Sequence, residues 1–345
     1  MDTLRIGLIG AGANTRLMHI PGLRGVAGVE IAAVANRSRA SGERIAAEFG
    51  VAKVYERVED LVADPEIDAV CIGTWPYRHR EYTIAALEQG KHVLCEARMA
   101  MDLAEAEEML AASERHPGLV AQLVPAPFDF RLGPTIMRLL REGALGEIRE
   151  VTVTALNGSG LDSSTPIHWR QRREYSGRNV MMLGIYAELI QRWLGDTTSV
   201  VADGKVVVPW RFDPERGENV AVDVPDTFAV LGEMANGARA VYHLSSVAAG
   251  APANGIVVYG SKATLRWAMG DTATWAKHGQ PFEALEPDPG TDRGWRVEED
   301  FVASIRTGAA VRLASFPDGV RYMRFVDAAW RSWQQRRAIA ITPGA

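Results

Sequence analysis

The sequence predicts an α/β protein in two parts. The first is a doubly wound parallel sheet over residues 1–122, and the second an α/β domain with a large, mostly antiparallel open sheet over residues 123–345. Three observations predict this. Strand and helix patterns alternate through the first third of the chain, as they do where helices cover both faces of a parallel sheet. A glycine turn follows the first strand directly. Near Leu123 the pattern changes, Pro125-Ala126-Pro127 punctuates the chain, and after a helix come long β-rich stretches.

Leu4 to Ile9 is an apolar run ending in glycine, and Val29 to Ala35 is the next strand. A polar helix is expected from Ala40 to Phe49, stopped by Gly50. Asp68 to Ile72 reads as a buried strand, Arg80 to Gln89 as a helix stopped by Gly90, Lys91 to Cys95 as a strand, and Leu103 to Glu114 as a helix. Pro21 is out of place, because proline kinks or ends a helix that runs through it. In the second part a helix is expected from Pro134 to Glu142. Strands are expected at Val151 to Leu156, Thr227 to Met234, Arg239 to Ser246 and Gly255 to Tyr259. Asn236-Gly237 between two of these is a hairpin turn. Asp318 to Arg337 has helical spacing of Val320, Met323, Phe325, Val326, Ala329 and Trp333.

Composition narrows the function classes. Hydrophobic residues make up 47% of the 345, charged residues 23%, and the formal net charge is −5. This is a globular balance with no basic block, so neither nucleic acid nor a membrane surface is an expected partner. The two cysteines, Cys71 and Cys95, lie in apolar strands, with no CxxC spacing and no Cys/His cluster. Neither a zinc or other metal site nor a disulfide framework is indicated, and a cytoplasmic location is expected. No apolar run approaches a membrane span, and the first strand begins too early to leave room for a secretory signal.

Gly10-Ala11-Gly12-Ala13-Asn14-Thr15 is placed where a dinucleotide turn belongs. Glycines there allow a tight turn and let backbone N–H groups approach a diphosphate at a helix start. Thr15 occupies the position of the third glycine, so the motif draws its weight from context: a strand before it and a second strand ending about twenty residues on. The first part is therefore read as a Rossmann-type nucleotide-binding domain, with Gly10, Gly12, Ala13, Asn14 and Thr15 as cofactor-binding candidates. The second strand ends in Asn36-Arg37-Ser38, without the carboxylate that accepts hydrogen bonds from a ribose 2′-hydroxyl and repels a 2′-phosphate. Arg37 can pair with a phosphate and Ser38 can donate to one. NADP(H) is favoured over NAD(H); the plainer reading is that Arg37 is a solvated loop charge.

On these residues and several further blocks the chain resembles the Gfo/Idh/MocA oxidoreductases, a family that includes glucose–fructose oxidoreductase and inositol dehydrogenase. The blocks are Ile72-Gly-Thr74-Trp-Pro76-Tyr-Arg-His79, Ala85 through Glu96, Gly143-Ala-Leu-Gly-Glu-Ile148, Trp169-Arg170, Leu183-Gly-Ile-Tyr186, Asp300-Phe301 and Gly319-Val320-Arg321. The resemblance implies a Rossmann domain, a second domain whose open sheet makes dimer or tetramer contacts, and a sugar, polyol or cyclic relative as substrate. It also shows departures. Glu96-Ala97-Arg98 stands where the family has Glu-Lys-Pro, and Met182 and Tyr186 stand where it has Asp and His. The usual lysine–histidine mechanism therefore does not carry over.

The remaining candidates follow from chemistry. Hydride transfer belongs to the cofactor, and the protein must manage one proton. Tyr186 is the candidate for that proton if a nearby cation lowers its pKa; otherwise it is a buried helix aromatic. Glu96 ends a strand on the ligand side of the sheet, and the resemblance puts it beside the nicotinamide. Arg98 supplies positive charge in place of the absent lysine but cannot transfer a proton near neutral pH. Thr74, Trp75 and Pro76 are expected to border the nicotinamide ribose, with Trp75 either stacked near the ring or simply packed. The resemblance makes His79 either structural or next to the cofactor, and Gln122, ending a strand at the domain junction, is a candidate to bond the carboxamide or the ligand. His168 and Arg170 are substrate-contact candidates with Tyr186. Arg170, Arg172, Arg173 and Arg178 together suit either an acidic substrate or a solvated loop, with the loop preferred. The sequence thus points to an NAD(P)-dependent oxidoreductase acting on a sugar-like or cyclic alcohol or ketone. The alternatives are a lyase or hydrolase using transient oxidation, or a non-catalytic dinucleotide sensor.

Overall fold

The computed structural model describes residues 3–250 and 254–342. By internal contacts the chain divides into two units, Met1–Pro125 with Arg296–Val320, and Ala126–Trp295 with Arg321–Ala345. The first boundary falls three residues after the expected one. The second unit is interrupted, however: a segment late in the chain returns to the first unit, and nothing in the local pattern near residue 296 announces it.

The first unit is built on six parallel strands. They are β1 (Leu4–Ile9), β2 (Val29–Ala35), β3 (Lys53–Tyr55), β4 (Ala69–Ile72), β5 (His92–Cys95) and β6 (Ala121–Leu123), in the spatial order β3-β2-β1-β4-β5-β6. β4 is buried at every position and β5 at every position after His92, as parallel strands covered on both faces must be. The helix Arg39–Phe49 starts at Ser38, whose side chain accepts a hydrogen bond from the Ser41 amide at 3.3 Å, and stops at Gly50 with φ 58°. Strand order reverses direction beside β1 and β4, so the crevice at the carboxyl ends of these two strands is where such sheets take ligands.

Pro21 does not end the first helix. The turn Thr15–His19 is widened into a π-helical turn, and the α-helix Ile20–Gly25 follows with Pro21 in its first turn. A proline has no N–H to offer the preceding turn, and the π turn accommodates that loss without breaking the rod.

The second unit carries a nine-stranded sheet. In chain order its strands, with a separate hairpin pair, are β7 (Ile148–Leu156), β8 (Thr197–Lys205), β9 (Trp210–Asp213), β10 (Glu218–Ala221), β11 (Thr227–Met234), β12 (Arg239–Ser245), β13 (Gly255–Gly260), β14 (Ala263–Ala268), β15 (Thr272–Lys277), β16 (Glu283–Ala284) and β17 (Ile339–Ala340). The spatial order is β16-β15-β14-β13-β7-β12-β11-β8-β17, with β9 and β10 pairing apart. Every contact in the large sheet is antiparallel except β12 on β7. Gly237, with φ 83°, turns β11 into β12 as the Asn-Gly pair predicts. β11 alternates buried and exposed residues along its length, so one face is covered and the other open. The last helix, Phe316–Gln335, lies on the covered face. Phe325 meets the Tyr242 ring at 5.1 Å, and the Trp333 indole donates to the Gly204 carbonyl at 2.8 Å. Among the described residues no helix is long and apolar enough to cross a membrane.

Candidate active site

In the first unit the carboxyl ends of β1, β2, β4 and β5 bring together most of the residues singled out by the sequence. The turn after β1 is held from outside. The Asn36 side-chain oxygen accepts a hydrogen bond from the Ala11 amide at 2.7 Å, and Thr15 Oγ1 donates to the Gly10 carbonyl at 3.1 Å. Gly10 has φ 81°, and a Cβ there would strike the Thr74 methyl at 2.6 Å, so two reasons require glycine. Gly73 is required too, since its Cβ would lie 2.0 Å from Thr15 Oγ1 and 2.4 Å from the Gly10 carbonyl oxygen. Gly12 is different. Its Cβ would meet only the Gly73 carbonyl oxygen, at 3.6 Å, an ordinary contact. The protein itself gives no reason for glycine at this position. Gly12, Ala13 and Asn14 are exposed, and the first turn of a helix leaves its amides without intrahelical partners. A diphosphate fits this cradle.

Asn36, a cofactor-binding candidate at the β2 exit, commits its side-chain oxygen to the turn. Ser38 caps the following helix, which leaves its hydroxyl hydrogen to donate elsewhere. Arg37 is exposed at the strand exit, and no carboxylate stands among Asn36, Arg37 and Ser38. At the exit of β4, Thr74 and Trp75 are half-buried and Pro76 is buried at the start of a short 3-10 turn. Trp75 lies 6.4 Å from the Tyr77 ring.

Two expected cofactor neighbours are corrected. His79 is fully buried: its Nε2 faces the Thr74 carbonyl at 2.9 Å and its Nδ1 the Arg98 carbonyl at 3.0 Å. The ring thus lies between the β4 exit loop and the β5 exit loop, and burial holds the imidazole below its ordinary pKa, so one nitrogen at a time donates to a carbonyl. Gln122 is fully buried in β6, and its amide donates to the Val297 carbonyl at 3.1 Å. That amide anchors the returning segment, while the side-chain oxygen is buried without a hydrogen-bond partner. Arg98 is also buried, so it is not a solvated surface cation.

Glu96 is the centre of a cluster. One oxygen takes hydrogen bonds from the Asn14 side-chain amide and from His19 Nε2 (2.9 Å), and the other accepts from the Ala97 amide at 3.0 Å. His19 Nδ1 meets Glu298 at 2.5 Å. Burial works against a charge on His19, but the hydrogen bonds to Glu298 and Glu96 outweigh it and lift the imidazole to about 9. Burial likewise penalises the Glu96 carboxylate, and the bonds from His19 and Asn14 overcome it, holding its pKa below the ordinary value. Sequence reasoning missed both His19 and Glu298. The local signal was slight, a histidine nine residues after the first glycine, and Glu298 is 279 residues from it.

In the second unit Tyr186 lies on the helix Leu183–Leu194 and is 1% exposed. Its ring packs 5.3 Å from Phe128, and its hydroxyl donates to Met269 Sδ at 3.5 Å. The expected lowering by a neighbouring cation is corrected: burial pushes the phenol up to about 12. His168 is exposed; its Nδ1 accepts from the Arg170 amide at 3.2 Å and caps the turn Trp169–Gln171. Arg170 is exposed and lies over the Trp169 ring at 4.3 Å. The arginine group does not converge on an acidic ligand. Arg172 bonds Asp213 at 2.7 Å and pairs with Glu174, Arg178 pairs with Asp327, and Arg173 lies over Trp330. Arg211 was not anticipated. It is buried and donates to the carbonyls of Gly160, Asp162 and Thr165, holding the loop that leads to His168.

A six-stranded parallel sheet in this order, with a glycine cradle at the reversal point and a large mixed-sheet unit behind it in the chain, defines a two-unit dinucleotide-binding oxidoreductase. The chain belongs to the Gfo/Idh/MocA family. A profile described as oxidoreductase family, NAD-binding Rossmann fold, matches residues 4–122, and the GFO/IDH/MocA C-terminal domain profile matches residues 135–266. An uncharacterised oxidoreductase of Synechocystis sp. is 29% identical over 267 residues, covering 76% of this chain and 71% of the relative. The 1,5-anhydro-D-fructose reductase of Ensifer adhaerens is 43% identical over 116 residues, 34% of each chain. The apo form of levoglucosan dehydrogenase shares the fold, with a TM-score of 0.89 at 22% identity over 100% of both chains.

Proposed function

We propose that the chain is an NAD(P)-dependent oxidoreductase, with NADP(H) preferred, that moves a hydride to or from a sugar-like or cyclic alcohol or ketone. The observation that carries the reading is the open space over Gly12 in a turn whose other glycines are accounted for by their neighbours. Gly12, Ala13 and Asn14 would hold the diphosphate, and Arg37 and Ser38 would meet the adenosine side. The lack of a carboxylate at the β2 exit supports the phosphorylated nucleotide. The bound nicotinamide would supply or take the hydride. Glu96 fixes the turn through Asn14. Tyr186 supports carbonyl reduction: a phenol pushed up to about 12 stays protonated at neutral pH and can give its proton to the oxygen that hydride addition makes negative, recovering it from water. The substrate class is supported by the relatives, one named for anhydrofructose reduction and a shared fold crystallised with NADH and levoglucosan.

The open sheet face suits a second copy of the chain in a dimer or tetramer, with Leu231 opposite Val201 across two strands, 52% and 48% exposed. The buried free thiols Cys71 and Cys95 support a cytoplasmic setting.

The test is a fluorescence titration with NADPH and NADH, followed by nicotinamide absorbance across a panel of cyclic ketoses and polyols. Tighter binding of NADPH and steady consumption with one substrate class are expected. No response to either nucleotide overturns the reading. Binding without turnover marks a sensor, and solvent deuterium in product without net nucleotide change marks transient oxidation.

A further inference from the structure

The cluster around His19 is assembled from three distant stretches of the first unit: the first helix, the exit of β5 and the returning helix Val297–Thr307. Two carboxylates face one buried ring, at 2.9 Å and 2.5 Å. A neutral imidazole carries a single N–H, so one of these contacts would set a lone pair against a carboxylate oxygen. Both are satisfied when both ring nitrogens carry hydrogen. Room for the second carboxylate is built in. A Cβ on Gly22 would lie 2.5 Å from Glu298 Oε2, so the first helix is notched where Glu298 presses against it. The oxygen of Glu96 that receives His19 also receives Asn14, an exposed residue of the glycine turn.

We propose that His19 is a positioning residue for the nucleotide: carried as an imidazolium between Glu96 and Glu298, it aims Glu96 at Asn14 and holds the β5 exit against the diphosphate turn. This rests on the reading that the turn binds a nicotinamide nucleotide. The returning helix thereby contributes to nucleotide affinity without touching the nucleotide. Two titratable groups face His19, Glu96 from the β5 exit and Glu298 from the returning helix, and the buried Cys71 thiol of β4 is close enough to feel both carboxylates. Losing the ring charge leaves two carboxylates facing each other across a neutral ring. Glu96 is then released from its aim, and Asn14 with it.

The experiment measures NADPH affinity of the whole chain by calorimetry from pH 6 to pH 10, for the wild type, His19→Gln and Glu298→Gln. Wild-type affinity is expected to fall as the pH rises through about 9. His19→Gln is expected to weaken binding at pH 7 by about five- to fiftyfold, within the usual range for coupled sites, and to lose the pH dependence. Its KM for nucleotide should rise while kcat at saturation holds. Glu298→Gln is expected to move the pH-dependent loss downward. Should His19→Gln fail to fold, ring nitrogen NMR of the wild type at pH 8 decides, with both nitrogens expected protonated. A wild-type profile in His19→Gln, or a singly protonated ring at pH 8, overturns the proposal. A wild type that binds no nucleotide removes the functional reading itself, a result distinct from binding that ignores His19.

Discussion

Asn36 turns its side-chain oxygen onto the Ala11 amide at 2.7 Å, so the residue just after the second strand sets the shape of the turn just after the first. Strand β2 and strand β1 are neighbours in parallel register, which brings their exits side by side.

Asn36→Ala removes the acceptor and leaves the Ala11 amide to water or to nothing. A lost hydrogen bond of this kind costs about 1 kcal/mol, near fivefold in affinity. Calorimetry should show weaker binding of NADPH and NADH in equal proportion, since Asn36 shapes the turn and does not read the ribose. A changed preference between the two nucleotides would show that Asn36 contacts the ribose after all.

The two glycines facing each other across the turn should separate folding from binding. Gly73→Ala drives a methyl into Thr15 and the Gly10 carbonyl, and should cost roughly 1–3 kcal/mol of stability. Gly12→Ala meets nothing closer than 3.6 Å, so its thermal midpoint should stay near wild type while nucleotide affinity drops tenfold or more, about 1.4 kcal/mol. A Gly12→Ala variant that binds as well as wild type would show that the cradle is empty of function.

Fold stability should decline in alkali. The His19 imidazole is raised from its ordinary 6.5 to about 9 in the folded chain, so the folded state holds this proton more tightly than the unfolded. The stabilisation is complete below pH 6.5 and is lost as the pH climbs through about 9. It amounts to about 3 kcal/mol, an order-of-magnitude value for a buried pair. Urea midpoints at pH 6, 8 and 10 should fall in that direction for the wild type and less for His19→Gln.

Tyr186→Phe should retain wild-type nucleotide affinity and lose about a hundredfold or more in turnover, the usual contribution of a placed proton donor. Because burial pushes the phenol up to about 12, the wild-type rate of carbonyl reduction should show no titration of this group below pH 10. Stopped-flow reduction across pH 6–10 tests this. Equal turnover in the variant would remove Tyr186 from the chemistry.

What the sequence made legible was whatever is local. β2, β11 and the Asn236-Gly237 hairpin carry their own periodicity and turn residues, and they form as read. The first parallel sheet followed from alternation and the glycine turn, except for the short strand Lys53–Tyr55, which was not read. His79 and Gln122 were misjudged for a common reason. His79 lies in a block of the resemblance and Gln122 ends a strand at the domain junction, yet each bonds a backbone carbonyl, and a free carbonyl leaves no mark on a sequence. The arginines around residue 172 show the same limit. Their partners Asp213 and Asp327 lie 41 and 149 residues away, and a charge whose partner is remote looks unpaired in one dimension. Thr15, by contrast, looked like a defect in the glycine pattern, and its hydroxyl proves to brace the turn from within.

The route of the chain through Arg296–Val320 has a practical consequence for anyone wishing to excise the nucleotide-binding half. A fragment cut after Pro125 would lack Glu298, the backbone carbonyl that receives Gln122, and the Ala314 carbonyl that receives the Leu123 amide. Its first helix would keep a buried histidine without the Glu298 carboxylate. A self-sufficient miniature would have to splice the late segment back by an artificial linker, and gene fusions or recombinations that exchange only the front of this chain inherit the same debt to its far end.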